Sequence, residues 1–169
     1  MAPLARVCLT GPESTGKSEL AERLQRELGW SVVDEYAREY ALRVDRDLTA
    51  DDVEPIARGE IANLERAAPP VIFDTDLIST VVYARYYYGG CPEWIVEEAR
   101  RRRADLYLLM DTDVPFRADA VRDASAERED LFDAFRRALD EFEVRWVIIS
   151  GSPEERVVRA LEAISTTSP

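Results

Sequence analysis

Gly11-Pro12-Glu13-Ser14-Thr15-Gly16-Lys17-Ser18 is the stretch on which the reading of this chain turns. The octet satisfies G-x-x-x-x-G-K-[ST]. It stands directly after an apolar run of strand length, Val7 to Leu9, and directly before a segment of helical spacing, Lys17 to Leu28, which is the context the motif requires. Glycines at both ends let backbone N–H groups turn inward around phosphate oxygens, and a helix beginning near Gly16 points its positive end at them. Gly11, Glu13, Ser14, Thr15 and Gly16 then form the cradle, Lys17 reaches the β- and γ-phosphates, and Ser18 offers its hydroxyl to Mg²⁺. Of 22 basic residues, 21 are arginine, and Lys17 is the one lysine. A compact ammonium fits between phosphate oxygens where a forked, planar guanidinium does not.

Outward from the loop, further apolar runs of strand length fall at Ser31 to Val33, Pro70 to Phe73, Leu106 to Met110 and Val144 to Ile149. Helical spacing covers Tyr36 to Val44, Asp51 to Ala67, Leu77 to Tyr88, Glu93 to Arg102, Glu127 to Phe142 and Pro153 to Ile164. Such alternation predicts an α/β three-layer architecture, a five-stranded parallel sheet with helices on both faces, because parallel strands need crossovers and helices supply them. With the phosphate loop after the first strand, this is the P-loop NTPase fold. At 169 residues and 19.2 kDa the chain is expected to be one domain, residues 1–169, with no repeat or linker-like tract.

Composition narrows the chemistry. A formal charge of −12 and a pI near 4.6 repel nucleic acid and anionic membranes, so small-molecule partners are expected. No histidine is present, which removes Ser-His-Asp and Cys-His catalysis and histidine metal sites and leaves proton transfer to carboxylates. Two isolated cysteines, Cys8 and Cys91, and no apolar stretch of about 20 residues fit a cytoplasmic protein without leader or membrane span. The basic run Arg100 to Arg103 reads as a solvated helix end complementing the macrodipole, or as an anion patch.

In doubly wound sheets ligands sit beyond the carboxyl ends of the strands. The second strand ends in Asp34-Glu35-Tyr36-Ala37-Arg38-Glu39 and the third in Phe73-Asp74-Thr75-Asp76. Asp74 stands where an acidic residue holds Mg²⁺ beside a phosphate loop, or caps the next helix; Asp76 has the same two readings, as site residue or cap. Glu35, from a different strand, is placed to accept a proton from a substrate hydroxyl. Arg38 either neutralises phosphate or pairs with Glu35 or Glu39. After the fourth strand, Arg117, Arg122 and Arg128 either close over ATP with the charge that phosphoryl transfer needs or lie on a helix surface. Gly151-Ser152-Pro153-Glu154-Glu155-Arg156 is a turn and helix start that either cradles adenine or merely connects.

Together these segments resemble the NadR-type ribosylnicotinamide kinases. The resemblance rests on the phosphate loop, on Glu35-Tyr36-Ala37-Arg38-Glu39, on Phe73-Asp74-Thr75-Asp76-Leu77-Ile78-Ser79-Thr80, and on Pro115-Phe116 through Arg122, in that order over nearly the whole chain. It implies ATP- and Mg²⁺-dependent phosphorylation of the 5′-hydroxyl of nicotinamide riboside to nicotinamide mononucleotide, with Lys17, Glu35, Asp74 and Arg122 catalytic and Thr80 in the nucleotide-binding set. A cationic pyridinium ring suits a pocket offering Asp34, Glu35 and Asp76 with aromatics such as Tyr36, Tyr83 or Tyr87, although tyrosines at helical spacing also serve a core. Family domains often carry tryptophan where Asp34 stands and Asp-Gly where Asp119-Ala120 stands. The family's nucleotidyltransferase and DNA-binding units are not expected within 169 residues. The other readings are a kinase for another nucleoside, a vitamin alcohol or a 5′-hydroxyl nucleic-acid end, and a non-catalytic ATP-binding regulatory module. The absence of an N-K-x-D-like motif weighs against a GTPase switch.

Overall fold

The computed structural model describes residues 4–114 and 124–167. Five strands, β1 (Arg6–Thr10), β2 (Ser31–Val33), β3 (Val71–Asp74), β4 (Leu106–Met110) and β5 (Trp146–Ile149), form one all-parallel sheet in the order β2-β3-β1-β4-β5. Pairing runs Arg6 to Val71 through Leu9 to Asp74 on one side of β1, and Val7 to Leu106 through Thr10 to Leu109 on the other. β1 is central, so the order reverses around it and the loop after β1 opens at the switch point, where ligands of such sheets bind. Seven α-helices are described: α1 (Lys17–Leu28), α2 (Tyr36–Val44), α3 (Val53–Arg66), α4 (Leu77–Tyr88), α5 (Glu93–Arg101), α6 (Ala124–Glu141) and α7 (Pro153–Thr167).

The two-residue period of the strands divides the core. Val7, Leu9, Ile72, Leu106, Leu108 and Met110 face α1 and α7, meeting Leu20, Leu24, Ala160 and Ile164. Cys8, Val71, Phe73, Tyr107 and Leu109 face α3 to α6, meeting Leu64, Val81, Ile95 and Phe135. Every residue of β4 is buried, as a strand covered on both faces must be. The five-strand parallel sheet covered on both faces is the expected fold. No helix among the described residues is long and apolar enough to cross a membrane.

Local differences have local causes. β5 begins at Trp146 and not at Val144, because Glu143 adopts a left-handed φ of 55° and Val144 N–H still bonds back to Leu139 as the chain leaves α6. α3 is preceded by a 3-10 turn, Ala50–Asp52, with a reciprocal Thr49–Asp52 capping box. The basic run is not a loose cationic end: Arg100 pairs with Glu141, Arg101 with Glu98, Arg102 with Glu98 and Glu65, and Arg103 donates to the Phe142 carbonyl. The arginines at this helix end are pairs within α5 and ties to Glu65 of α3, Glu141 of α6 and the Phe142 carbonyl just beyond α6.

Gly59, inside α3, shows packing overriding propensity. A Cβ at this position would lie 2.0 Å from the Tyr36 ring of α2. Gly-to-Ala in a helix interior normally gains about 1 kcal/mol, whereas inserting an atom into filled space costs about 1–3 kcal/mol. Gly59→Ala is therefore expected to lower the thermal midpoint in the wild-type background and to raise it in a Tyr36→Ala background. Calorimetry on the four proteins of that cycle checks this, and stabilisation by Gly59→Ala in both backgrounds contradicts it.

Candidate active site

Three adjoining depressions open along the carboxyl edge of the sheet. The central one, 510 Å³, is the phosphate loop itself, lined by Glu13 to Glu19 and faced by Glu35, Ala37, Arg38, Ala41 and Leu48. On one side, sharing Gly16 and Glu19 with it, is a 330 Å³ cleft between α1 and the Gly151-Ser152-Pro153 turn. On the other, sharing Glu13, Glu35, Ala37 and Leu48, is a 170 Å³ cavity walled by α3 and α4. The centre thus communicates with a separate chamber on each side.

The loop is shaped by backbone that few residues tolerate. Gly11 has φ 126°, and a Cβ there would come within 3.1 Å of the Met110 carbonyl; Gly16, at φ 86°, is the N-cap of α1. Thr15 Oγ1 donates to the Pro12 carbonyl at 2.7 Å and closes the turn. Lys17, only 6% exposed, donates from Nζ to the carbonyls of Gly11 (2.9 Å) and Pro12 (2.7 Å). An ammonium has three donors, so one remains for an anion in the loop. Burial pulls the Lys17 pKa down, while Glu35, Asp74 and Glu13 hold it up.

Beyond Lys17, Ser18 Oγ donates to Asp74 Oδ2 at 2.7 Å and accepts from Arg38 Nη1 at 3.0 Å. Asp74 Oδ1 is buried with no hydrogen-bond partner. A hydroxyl beside a half-satisfied buried carboxylate fits Mg²⁺, a hard cation held by one or two protein oxygens and completed by water and phosphate. No cluster of three or more acidic or sulfur ligands occurs among the described residues, and a cation of this kind does not require one. Thr75, in a left-handed conformation at φ 68°, separates Asp74 from Asp76 and ties its N–H to the Leu9 carbonyl at 2.9 Å. The kink sends consecutive acidic side chains to different tasks: Asp76 caps α4 through Ile78 N–H (3.0 Å) and accepts from Tyr107 Oη (2.5 Å). Burial raises Asp76 to about 6 against those hydrogen bonds.

Glu35, at the start of α2, lies on the shared wall between the loop and the α3–α4 cavity. Burial pushes its pKa up and Lys17 pulls it down. Arg38 pairs with it at 3.3 Å, as one of its two readings expects, and also lines the loop. Of the residues expected at an acceptor, Glu35, Asp76, Tyr83 and Tyr87 line the α3–α4 cavity, as does Thr80. Asp34 is exposed and Tyr36 lies over Gly59; neither lines any of the three depressions, because α2 begins at Tyr36 and turns that ring onto α3. Thr80 lines the α3–α4 cavity and not the cleft beside the Gly151-Ser152-Pro153 turn. Gly151, Ser152 and Pro153 line that cleft. Arg117 and Arg122 lie outside the described residues; Arg128 is buried and donates to the Val114 carbonyl.

Two residues hold positions that their sequence context does not assign them. Arg156, 4% exposed, donates to the carbonyls of Thr15 (2.5 Å), Gly151 (3.0 Å) and Asp111 (3.2 Å) and pairs with Asp113, joining the loop, the β4 end and the β5–α7 turn. Nothing in its local sequence distinguishes it from a surface helix arginine. Glu60 did carry a signal, since it continues the buried stripe Val53, Ile56, Ala57, Leu64 of α3 where an apolar residue belongs. Its Oε1 has no partner, and burial with nearby Asp76, Glu35 and Asp74 lifts it to about 8 against the Tyr36 backbone N–H.

The chain matches the family model described as AAA domain over residues 6–156. It is 27% identical, over 94% of its length, to the trifunctional NAD biosynthesis/regulator protein NadR of Escherichia coli, and 26% identical to that of Salmonella typhimurium. The chain spans 41% of either relative. Among solved structures it is similar to a NadR protein in complex with NR (TM-score 0.78, 28% identity, 98% of this chain and 52% of that one) and to a NadR protein with NAD and AMP-PNP (TM-score 0.73, 26% identity, 96% and 50%). Thymidylate kinase from Ehrlichia chaffeensis shares the fold at 14% identity and TM-score 0.70.

The buried Glu60 makes stability depend on pH with a defined sign. Its native carboxyl releases the proton near 8 and its unfolded form near 4.5, so the native state binds more protons between those values and loses stability as pH rises. Glutamine has no such proton. Glu60→Gln is expected to match the wild type near pH 4.5 and to exceed it by on the order of 5 kcal/mol at pH 8.5. Thermal unfolding at a series of pH values reads this, and a gap that stays constant with pH contradicts it.

Proposed function

The chain belongs to the AAA domain family, and we propose that it transfers the γ-phosphoryl group of ATP, with Mg²⁺, to the 5′-hydroxyl of nicotinamide riboside, giving nicotinamide mononucleotide. Its relatives include P-loop kinases, which supports phosphotransfer in general. The observation that carries the specific reading is the order of the three depressions, with Glu35 on the wall between the phosphate loop and an acidic, tyrosine-lined cavity. NadR structures with NR and with AMP-PNP support the same pairing of ligands. Residues 1–169 are read as one kinase unit.

In this reaction the 330 Å³ cleft takes adenine, with Gly151 to Pro153 as one wall and Leu20 of α1 as the other. The triphosphate then runs along the loop, where backbone N–H groups and the N-terminus of α1 face its oxygens. Lys17 supplies charge to the β- and γ-phosphates, and Arg38 adds a guanidinium on the same side. Ser18 and Asp74 are the residues that would hold Mg²⁺, which when bound offsets phosphate charge. Glu35 accepts the proton of the acceptor hydroxyl, and its raised pKa makes it a better base than a solvated carboxylate. Phosphoryl transfer asks mainly for alignment and charge stabilisation, so a carboxylate suffices in a chain without histidine.

Lys17→Ala is expected to lower kcat by roughly 10²–10³ while the protein remains folded by circular dichroism; retention of a tenth of wild-type kcat excludes the loop mechanism. Glu35→Gln should lower kcat with the KM for ATP little changed, whereas Asp74→Asn should shift the Mg²⁺ dependence as well. One identical Mg²⁺ defect in both variants contradicts this division. In a comparison of nicotinamide riboside, nicotinic acid riboside, uridine, cytidine and adenosine under one condition, nicotinamide riboside should lead and the neutral nucleosides trail by about ten- to several hundred-fold in kcat/KM. Equal use of uridine or adenosine rejects the acceptor, and ATP binding without product from any of them rejects the kinase.

A further inference from the structure

The cavity between α3 and α4 has a charge pattern that the chain's composition does not predict. Five carboxylates line it, Glu13, Glu35, Asp52, Glu60 and Asp76, and no arginine or lysine does. Three of the five are answered from behind the wall. Asp52 is held by Arg46 at 2.7 Å and by Tyr40 Oη at 2.7 Å. Glu35 pairs with Arg38, and Asp76 is engaged by Tyr107 and the Ile78 N–H. Glu13 is exposed and answered by solvent.

Glu60 stands apart. It is 2% exposed, it lines the cavity, and its Oε1 has no hydrogen-bond partner. Leaving a buried carboxyl half-satisfied costs free energy, and the other buried residues of the α3 stripe are all apolar. A group kept at that cost, facing a cavity, finds its missing partner in what enters the cavity.

Resting on the reading of this cavity as the acceptor site, we propose that Glu60 is the specificity-determining residue through which the cavity selects a positively charged base over a neutral one of the same shape. The groups that face it from the surrounding elements are Asp76, Glu35 and Asp74, all acidic, opposed by the Tyr36 backbone N–H. Burial first, and their field with it, lifts the Glu60 pKa, and the carboxyl is left short of positive charge. A cation supplies what the wall lacks, because the same low-polarity surroundings that penalise an unpaired carboxylate strengthen a paired one. An uncharged base of equal size offers no such return. The rings of Tyr83 and Tyr87, stacked 6.0 Å apart at 3° on the α4 wall, present aromatic surface to the same occupant.

The test compares nicotinamide riboside with its reduced 1,4-dihydro form, which keeps the ribose and carboxamide but has no positive charge, in wild type and Glu60→Gln. In the wild type kcat/KM is expected to favour the charged acceptor by at least about tenfold. Glu60→Gln is expected to reduce that ratio about tenfold, with the KM for ATP unmoved. A reduction smaller than threefold overturns the proposal while leaving the acceptor reading standing. An equal fall for both acceptors, with the ratio intact, overturns it too, since it assigns Glu60 to cavity shape alone. If neither acceptor is phosphorylated by the wild type, the acceptor reading fails and the proposal with it. Glu60→Asp, which restores charge on a shorter arm, should recover part of the ratio; a ratio no better than that of Glu60→Gln speaks against charge as the operative feature.

Discussion

A single ammonium, buried to 6% exposure and turned onto the carbonyls of its own loop, is the constraint around which the site is arranged. A charge so placed is tolerated only among acceptors and counter-charges. The loop provides two carbonyls, while the second and third strands bring Glu35 and Asp74 close enough to support the charged form. The glycines follow from the same requirement, because the loop can present its carbonyls to Lys17 and its N–H groups to the centre only with backbone in left-handed regions at Gly11 and Gly16. Arg156 then fixes the loop to the far strands by holding Thr15, Gly151 and Asp111 at once.

Acidity that looks diffuse in the composition is locally sorted. The helix surfaces carry matched pairs such as Arg23 with Glu19, Arg85 with Glu141 and Arg102 with Glu98, each worth little by itself. The α3–α4 cavity keeps carboxylates without cationic lining residues. The excess negative charge of the chain is thus gathered around one cavity as well as spread over the solvated surface. Thr75 contributes by its backbone alone, its left-handed turn sending Asp74 to Ser18 and Asp76 to the N-cap of α4.

The layered fold was legible because its signals are local. Val7 to Leu9 and Leu106 to Met110 are continuous apolar runs that only a doubly covered strand requires, and the glycine-lysine octet sits between such a run and a helix. The loop residues and the strand-end acids were legible for the same reason. What stayed hidden depends on long-range packing. Tyr36 reads as a pocket aromatic beside Glu35, yet the absence of a Cβ at Gly59 draws its ring onto α3. Arg156 acts through main-chain acceptors 141 and 45 residues away in sequence, a separation that no motif encodes. Glu60 broke an apolar stripe, a local irregularity whose meaning required the cavity opposite it.

The solitary lysine also bears on how this protein can be marked by other chemistry. Amine-directed modification of side chains, whether acylation, conjugation to a carrier polypeptide or coupling by a laboratory crosslinker, finds one ε-amino group in the whole sequence. That group is enclosed by the phosphate loop and held by Gly11 and Pro12. The arginine-rich exterior is inert to the same reagents, since a guanidinium remains protonated at any ordinary pH. Side-chain acylation therefore becomes a report on one atom: a ligand that fills the loop shields it, and a label that reaches it occupies the place of a phosphate contact.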